Sequence, residues 1–188
     1  MSSDSVPASV SPNPVIWLFG LSGAGKSTLA NALVRERRSR GRAVLALDGD
    51  ELRAGLCTGL GFSDADRAEN LRRAAEVAKL GSASGLCVVA AFITPLESHR
   101  QLIARVLHRQ NLSLVLIDAP LAVCRERDTK GLYARAGKGK VDQMTGLSSP
   151  FDPPTAADLV IHTAEESAAA SSARLLAFAL ARLSAAAP

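Results

Sequence analysis

Residues 20–28, which read GLSGAGKST, constrain the fold of this chain more than any other stretch. They match the pattern G-x-x-x-x-G-K-[ST], whose glycines let the backbone wrap around phosphate oxygens. The apolar run VIWLF at 15–19 precedes the pattern, and a helical pattern covers 27–39 and begins at Lys26 or Ser27. Because the positive end of a helix adds to the amide groups of such a loop, a strand, a glycine-rich turn and a helix in this order predict a phosphate-binding loop.

Four further apolar runs predict the rest of a sheet. They cover residues 42–48, 85–93, 112–118 and 157–163, and helical patterns lie between them. Strands that alternate with helices form parallel sheets that are covered on both faces. We therefore expect an α/β fold, a three-layer P-loop NTPase of the nucleotide-kinase-like type, with a five-stranded parallel sheet and helices on both faces.

Two long helical patterns have recognisable starts. The pattern at 64–81 follows Ser63, a suitable cap, with Asp66 three residues further on. The pattern at 165–184 comes with Thr163 and Glu166, which we interpret as a capping box. The apolar residues expected on one face are Leu71, Ala74, Ala75, Ala78 and Leu80 in the first helix, and Leu176, Leu180 and Leu183 in the second.

The domain organisation follows from length and local composition. A chain of 188 residues suits one domain with a single core. Residues 1–13 are polar and Pro-rich, so we expect a disordered leader there and a single P-loop domain over 14–188. Residues 128–156 contain Gly, Pro and Lys with weak periodicity, and a loop of this length in a compact domain is usually functional or mobile. We expect a mobile lid in this segment.

Composition excludes several classes of protein. The net charge of +4 is compatible with anionic ligands, and no basic run with interleaved aromatic residues indicates nucleic acid. No apolar stretch reaches the roughly 18 residues of a membrane span, and the N-terminus lacks the pattern of a signal peptide. The three cysteines have no C-x-x-C spacing and form no metal set with the three histidines. We therefore expect a cytoplasmic protein with free thiols that binds neither membrane nor nucleic acid.

The nucleotide follows partly by exclusion. A GTPase would carry N/T-K-x-D for guanine, and the nearest string, TKGL at 129–132, lacks the acid. A motor or AAA-type ATPase would need a longer chain and more acids than the lone Asp118 at the end of the fourth strand. A small ATP-dependent kinase remains, in which Lys26 reaches the outer phosphates and the Ser27 hydroxyl binds Mg²⁺.

The string LDGDELRAGL, which closes the second strand, indicates an acceptor site. It places Asp48 and Asp50 at the carboxyl edge of the sheet, where ligands bind in open α/β folds. Beside a phosphate loop, such a carboxylate can take a proton from an attacking hydroxyl or hold Mg²⁺ through water. Ordinary turn-forming acids at a strand end are the alternative for this stretch alone.

The helix that follows carries a polar face. Arg67, Asn70 and Arg73 recur every three residues, so guanidinium, amide and guanidinium groups share one side. The planar fork of arginine suits oxyanions such as phosphate or sulfate, and Phe62 just before the helix offers a flat surface for a base. A solvated charged face is the alternative interpretation of such a run.

Six strings in this order resemble the adenylylsulfate (APS) kinase family over residues 15–180: GLSGAGKST, LDGDELRAGL, GFSDADRAENLRRAAEVAKL, FITP, RDTKGLY and MTGLSSPFDPP. Many families share the phosphate loop, but the other strings together are far more specific. The resemblance implies transfer of the γ-phosphoryl group of ATP to the ribose 3′-hydroxyl of adenosine 5′-phosphosulfate (APS). The products are 3′-phosphoadenosine 5′-phosphosulfate (PAPS) and ADP, in sulfate assimilation. The resemblance also implies Mg²⁺ as cofactor, a homodimer and a functional link to ATP sulfurylase.

The resemblance also implies a role for each matching residue. Lys26, Asp48 and Asp50 are the expected catalytic residues, and Ser27 and Asp48 the expected Mg²⁺ ligands, Asp48 through water. The residues expected to contact ATP are Gly20, Leu21, Ser22, Gly23, Ala24, Gly25, Lys26, Ser27, Thr28 and Arg127. Those expected to contact APS are Asp50, Arg53, Phe62, Arg67, Asn70, Ile93, Thr94, Lys130 from the lid, and Met144.

Three positions depart from the family pattern and keep alternatives open. Glu51 stands where the family commonly has Asn, Thr94 where it has Ser, and Met144 where it has an aromatic residue. One alternative is a kinase of the same fold that phosphorylates another hydroxyl. A second is a non-catalytic nucleotide-binding relative, which would be expected to have lost Lys26, Asp48 or Asp50.

Overall fold

The computed structural model describes residues 13–128, 131–136 and 144–185. Five parallel strands form one sheet in the order β2-β3-β1-β4-β5. The strands are β1 Val15–Phe19, β2 Val44–Asp48, β3 Cys87–Ala91, β4 Leu112–Asp118 and β5 Leu159–His162. The helices are α1 Lys26–Ser39, α2 Gly49–Ala54, α3 Asp64–Ala83, α4 Glu97–Leu107, α5 Leu121–Arg127, α6 Leu132–Ala136 and α7 Ala168–Ala185, with a 3-10 turn at Arg109–Asn111. The predicted α/β fold with a five-stranded parallel sheet is confirmed.

The parallel arrangement of the strands gives the sheet one edge at which a ligand can bind. β1 lies in the centre and pairs with β3 on one side and β4 on the other, with Val15 opposite both Val88 and Leu112. Because all neighbours are parallel, the carboxyl ends of the strands meet at the same edge. At that edge the phosphate loop follows β1, Asp48 is the last residue of β2, and Ile93 comes two residues after β3.

Alternation along β1 separates the core into two halves. Ile16 and Leu18 pack on the side of α1 and α7, whereas Trp17 packs on the side of α3 and α4. Successive strand residues point to opposite faces of a sheet, so a fully apolar strand such as β1 requires a helical layer on each face. The two clusters therefore fill the spaces between the central sheet and the helical layer on each of its faces.

Helix α3 starts as the sequence predicted, but one residue of its predicted apolar stripe is not buried. The Ser63 hydroxyl accepts a hydrogen bond from the Asp66 amide at 3.1 Å, which is the predicted cap. Leu71 is buried, as are the three alanines of the stripe. The prediction for Leu80 is wrong, because this side chain is 70% exposed. Leu80 lies on the solvent side of the turn that carries Ala78.

The start and buried face of α7 differ from the sequence prediction. The helix begins at Ala168, and the Ser167 hydroxyl accepts from the Ala170 amide at 3.2 Å. The predicted capping box is therefore wrong, and the Thr163 hydroxyl donates instead to the Ala24 carbonyl at 2.8 Å. The most deeply buried residues of the helix are Ser171, Leu175 and Ala179, one turn apart, whereas Leu176, Leu180 and Leu183 are only partly buried.

The segment 128–156 contains ordered elements in its described parts. Helix α6 begins four residues after Asp128, and a bridge joins Thr145 and Ser149. Met144 and Thr145 are buried. Residues 129–130 and 137–143, and with them Lys130, lie outside the described residues. The lid itself stays a prediction.

Residues 1–12 also lie outside the described part of the chain, so the leader is likewise untested. Asn13 is bonded to the domain through its side-chain amide, which donates to the Gly85 carbonyl at 2.6 Å. Among the described helices, none has the length and apolar character needed to cross a membrane.

Candidate functional site

Only glycine fits at the first position of the phosphate loop. Gly20 has φ +145°, and its amide donates to the Ile93 carbonyl at 3.2 Å. A Cβ at this position would lie 2.2 Å from the Ile117 carbonyl oxygen. Gly23, at φ +79°, would bring a Cβ to 2.6 Å from the Cys124 carbonyl oxygen. The glycines therefore permit the tight contact between the loop, β4 and α5.

A cavity of about 440 Å³, the larger cavity, opens at the loop. The predicted ATP-contacting residues in its lining are Ser22, Gly23, Gly25, Lys26, Ser27, Thr28 and Arg127, together with Asp48 and Asp50. Three predicted positions are not in that lining. Gly20 and Ala24 are buried inside the domain, and Leu21 packs against the core. These three residues therefore lie on the core side of the loop.

Lys26, Ser27 and Asp48 come together at the base of the larger cavity. The Ser27 hydroxyl donates to the Asp48 carboxylate at 2.8 Å, and the other carboxylate oxygen accepts from the Asp50 amide at 2.9 Å. The Lys26 ammonium donates to the Leu21 carbonyl at 2.7 Å. Asp48 is also the cap of α2, so one side chain fixes both the loop serine and the start of the next helix.

A second cavity of about 160 Å³, the smaller cavity, lies beside the first. Its lining includes all the predicted APS-contacting residues that the structure describes. These are Asp50, Arg53, Phe62, Arg67, Asn70, Ile93, Thr94 and Met144. They come from α2, the α2–α3 loop, α3, the turn after β3 and the segment before Thr145, so the tertiary fold brings together residues up to 94 positions apart.

The smaller cavity concentrates positive charge against an aromatic ring. The guanidinium carbon of Arg53 lies 4.5 Å from the centroid of the Phe62 ring, and that of Arg67 lies 5.8 Å from it. Burial lowers the pKa of both arginines, and the nearby charge of Arg53 lowers the pKa of Arg67 further. Two cations held close together and partly desolvated favour an anionic occupant. The Phe62 ring remains 56% exposed, so it is accessible to a ligand.

Asn70 and Thr94 complete the wall of the smaller cavity. Asn70 is only 3% exposed, and its amide nitrogen has no hydrogen-bond partner among the described residues. A buried donor without a partner costs about 1–3 kcal/mol, so a ligand acceptor here would be favourable. Thr94 has φ +44°, and its hydroxyl accepts from the Trp17 indole at 2.9 Å. This hydrogen bond from the buried Trp17 side chain fixes the position of the Thr94 hydroxyl.

The two cavities share part of their lining. Ser22, Gly49, Asp50, Phe92, Ile93 and Leu132 line both. Asp50 is the titratable residue in this shared set. The two cavities therefore adjoin at Asp50.

Comparison with known proteins identifies the family. The family model described as adenylylsulphate kinase matches residues 13–162. An adenylyl-sulfate kinase of Paraburkholderia xenovorans (strain LB400) is 54% identical over 149 residues, which is 79% of this chain and 83% of that protein. Another, from Shewanella denitrificans, is 47% identical over 172 residues, 91% of this chain and 84% of that protein.

The chain belongs to the adenylylsulphate kinase family.

A solved structure agrees with this assignment. The APS kinase of Mycobacterium tuberculosis, in complex with AMPPNP and APS, is 40% identical with a TM-score of 0.84, and the match covers 88% of this chain and 96% of that one. The chain is therefore an enzyme of sulfate assimilation, an ATP-dependent kinase that phosphorylates APS to PAPS. The alternatives of another acceptor or of a non-catalytic relative are not favoured.

Several cavity residues of this kinase were missed by sequence reasoning. Leu132, Thr163 and Thr145 line one or both cavities, and Tyr133 contacts the loop from behind. Leu132 and Tyr133 belong to the string RDTKGLY, which carried part of the resemblance but had no role assigned to these two residues. The sequence predicted Thr163 to be a helix cap. Its contact with the loop could not be predicted, because it joins residues 139 positions apart and leaves no local pattern.

Arg73 does not lie on the face of α3 that lines the smaller cavity, although its three-residue spacing from Asn70 predicted this. The Arg73 guanidinium donates to Glu69 at 2.8 Å and to the Leu56 carbonyl at 2.9 Å, and it is not in the lining of the smaller cavity. Arg67, in contrast, donates to the Thr145 hydroxyl at 2.7 Å within the cavity wall. A helix turns about 100° per residue. Six residues therefore turn about 600°, which leaves Arg67 and Arg73 about 120° apart around the axis.

Proposed function

We propose that ATP occupies the larger cavity, that APS occupies the smaller one, and that the phosphoryl group crosses between them beside Asp50. The observation that carries this proposal is the shared lining of the two cavities, which contains Asp50. The related kinase whose structure holds both AMPPNP and APS supports two adjacent nucleotide sites.

On the donor side, the loop amides and the start of α1 would hold the phosphates of ATP. Lys26 would neutralise the outer phosphates, which is the main requirement of phosphoryl transfer. Arg127 lines the larger cavity and donates to the Thr163 carbonyl at 2.7 Å. We assign Arg127 to the region of the donor base.

The oxygen atoms of Ser27 and Asp48 fit a magnesium ion that arrives with ATP. They are a hydroxyl and a carboxylate 2.8 Å apart, and Mg²⁺ prefers one or two such hard ligands, together with waters and substrate phosphates. No group of three or more His, Cys, Asp or Glu side chains suited to a metal occurs among the described residues. When bound, Mg²⁺ would supply positive charge that neutralises the phosphates.

On the acceptor side, charge and shape both suit an adenine nucleotide with a phosphosulfate group. Arg53 and Arg67 would hold the anionic group, and the Asn70 amide would donate to the ribose or to the phosphosulfate. Phe62 and Met144 would contact the adenine, and Ile93 and Thr94 would line the pocket beside it. Lys130, outside the described residues, keeps its expected role as a lid residue that reaches the acceptor.

Asp50 would act as the general base. Its carboxylate accepts the proton of the ribose 3′-hydroxyl as that oxygen forms a bond to the γ-phosphorus, and the bond between this phosphorus and the β,γ-bridging oxygen breaks to release ADP. This direct transfer requires no phosphoryl group on Thr94, whose hydroxyl accepts from the Trp17 indole.

Glu51 does not compete with an anionic acceptor. This residue is exposed and lines neither cavity, whereas the neighbouring Asp50 lines both. Two adjacent carboxylates on α2 thus lie in different environments. The departure at Glu51 leaves room for APS.

The adjacent acids provide a matched test. We expect Asp50→Asn to lower kcat by about 100-fold or more, the range for a positioned acid–base group, with binding of AMPPNP largely retained. Glu51→Gln removes the same charge one residue away and should change kcat less than twofold, an effect of a surface charge. Calorimetric titration with AMPPNP and a coupled ADP-release assay measure the two effects. Equal rates in the two variants would remove Asp50 from the reaction.

A second assay tests the acceptor. ADP release with ATP and Mg²⁺ is compared for APS, AMP, gluconate and a panel of nucleosides. We expect acceleration by APS at micromolar concentration and none by the others. Faster turnover of another acceptor would restore the alternative of a kinase with a different substrate.

Three further expectations stay proposals about the molecule in the cell: cytoplasmic location, a homodimer and a functional link to ATP sulfurylase. Sedimentation analysis of the full chain tests the second, since a single monomeric species at micromolar concentration would contradict it.

A further inference from the structure

Four successive carbonyl groups of the phosphate loop accept hydrogen bonds from side chains. The donors come from α1, from α5 and α6, and from the segment after β5. The pairs are Lys26 to Leu21 at 2.7 Å, Tyr133 to Ser22 at 3.0 Å, Arg127 to Gly23 at 3.5 Å, and Thr163 to Ala24 at 2.8 Å.

These contacts have a consequence for the amide groups of the loop. In a trans peptide the carbonyl oxygen and the following N–H point in opposite directions. A donor that holds the Ser22 carbonyl on the outer side of the loop therefore turns the Gly23 amide toward the inner side. Ser22 and Gly23 both line the larger cavity, where anionic phosphates would meet that amide.

Tyr133 differs from the other donors in the element that carries it. It lies on α6, whose first residue, Leu132, lines both cavities. Asp128 fixes the start of α6, because its carboxylate oxygens accept from the Tyr133 amide at 3.1 Å and the Ala134 amide at 2.9 Å. One short helix thus contacts the wall shared by the two cavities and the outer side of the loop.

The environment of Tyr133 suits a permanent hydrogen-bond donor. The side chain is 6% exposed, and its ring packs in the core cluster beneath the loop. Burial raises the pKa of Tyr133 to about 12. The hydroxyl therefore keeps its proton throughout the pH range in which the enzyme would be assayed.

We propose that Tyr133 is a positioning residue for phosphoryl transfer: its hydrogen bond to the Ser22 carbonyl keeps the Gly23 amide directed at the ATP phosphates and joins α6 to the phosphate loop. This inference rests on the proposed placement of ATP in the larger cavity. Tyr133 does not touch substrate, so its removal should change ATP binding and leave APS binding almost unchanged.

Tyr133→Phe tests the hydroxyl alone, because the ring and its packing are retained. We expect the Kd for AMPPNP and the KM for ATP to rise about three- to tenfold, the range for one neutral hydrogen bond, while the KM for APS changes less than twofold. Ser84→Ala is the matched control. It removes another hydroxyl-to-carbonyl bond, from Ser84 to Leu80 at 2.9 Å at the far end of α3, and should leave both constants unchanged.

A merely structural role predicts a different result. Tyr133→Phe would then lower the melting temperature while the AMPPNP Kd and both KM values stayed at wild-type levels, and that outcome would overturn the proposal. Equal increases in the two KM values would overturn it as well. If the variant does not fold, Asp128→Ala releases the start of α6 with the Tyr133 hydroxyl intact, and it should raise the KM for ATP in the same direction. An unchanged KM for ATP in Asp128→Ala would then count against the proposal.

Failure of the proposed function gives a separate signature. If wild-type enzyme does not bind AMPPNP, or if Lys26→Met binds it as well as wild type does, the placement of ATP is wrong. If wild type binds AMPPNP through Lys26 but Tyr133→Phe binds it equally well, only the role of Tyr133 is wrong.

Discussion

The larger and the smaller cavity are built in different ways. The phosphate end of the larger cavity is mainly backbone, a glycine-rich turn whose carbonyl groups accept hydrogen bonds from surrounding side chains. The smaller cavity is formed mainly by side chains, which include Asn70 and two arginines, Arg53 and Arg67, near the Phe62 ring. The first can hold any polyphosphate, whereas the second has a charge and shape that suit one class of acceptor.

This difference has a practical consequence for variants. A change in the backbone-built cavity should affect ATP binding through the geometry of the loop. A change in the side-chain-built cavity should affect APS and leave ATP binding as it was. If the two cavities act independently in binding, each variant should alter one substrate constant and spare the other.

Lys26→Met should give the largest effect and should be confined to the larger cavity. Loss of the ammonium removes positive charge from the transferring phosphoryl group, so we expect kcat/KM for ATP to fall about 100- to 1000-fold. Calorimetric titration with APS should give a Kd within twofold of wild type, because Lys26 lines the larger cavity and not the smaller one. Lys79→Met, an exposed lysine on α3, is the control. A comparable loss of APS affinity in Lys26→Met would show that the cavities are not independent.

Arg67→Met should give the next largest effect, on the smaller cavity. We expect the KM for APS to rise about 10- to 100-fold through loss of hydrogen bonds from a charged group, and the Kd for AMPPNP to stay within twofold. Arg72→Met is the matched control, since Arg72 is on the same helix but pairs with Glu69 at the surface. Steady-state kinetics with each substrate varied in turn measure the effect. An equal change in the two variants would indicate a general effect of charge.

Thr94→Val tests how the core supports the smaller cavity. The change leaves the Trp17 indole N–H buried without its acceptor, so we expect the free energy of unfolding to fall by about 1–3 kcal/mol. Thr94→Ser keeps the hydroxyl and should retain wild-type stability, because a residue that is not β-branched tolerates the positive φ of this position at least as well. Urea unfolding of both variants is the measurement. Equal stabilities would mean that the indole bond contributes little.

Ser63→Ala should give the smallest effect. It removes the cap of α3, and we expect about 1 kcal/mol of stability to be lost in urea unfolding. Because Phe62 and Arg67 flank this cap, any kinetic effect should appear in the KM for APS. A change confined to the KM for ATP would contradict the division between the cavities. Ser39→Ala removes an exposed hydroxyl bond on α1 and serves as control.

Local pattern predicted well where the determining contacts are local. The apolar run of β1, the cap at Ser63 and the order of strand, loop and helix all concern neighbours in sequence, and the structure confirms them. Prediction failed for Leu80, which is 70% exposed: it lies nine residues after Leu71, and at about 100° per residue this places it on the opposite side of the helix. It also failed for Thr163, whose hydroxyl bonds the phosphate loop.

The sequence alone determined the elements that depend on backbone chemistry. Glycines at 20, 23 and 25 permit a loop that L side chains would block, and apolar β1 requires helices on both faces of the sheet. Only the tertiary structure decided how distant side chains meet. Thr145 reaches Arg67 across 78 positions, and Tyr133 reaches Ser22 across 111, because packing of whole elements sets these contacts and no periodicity along the chain encodes them.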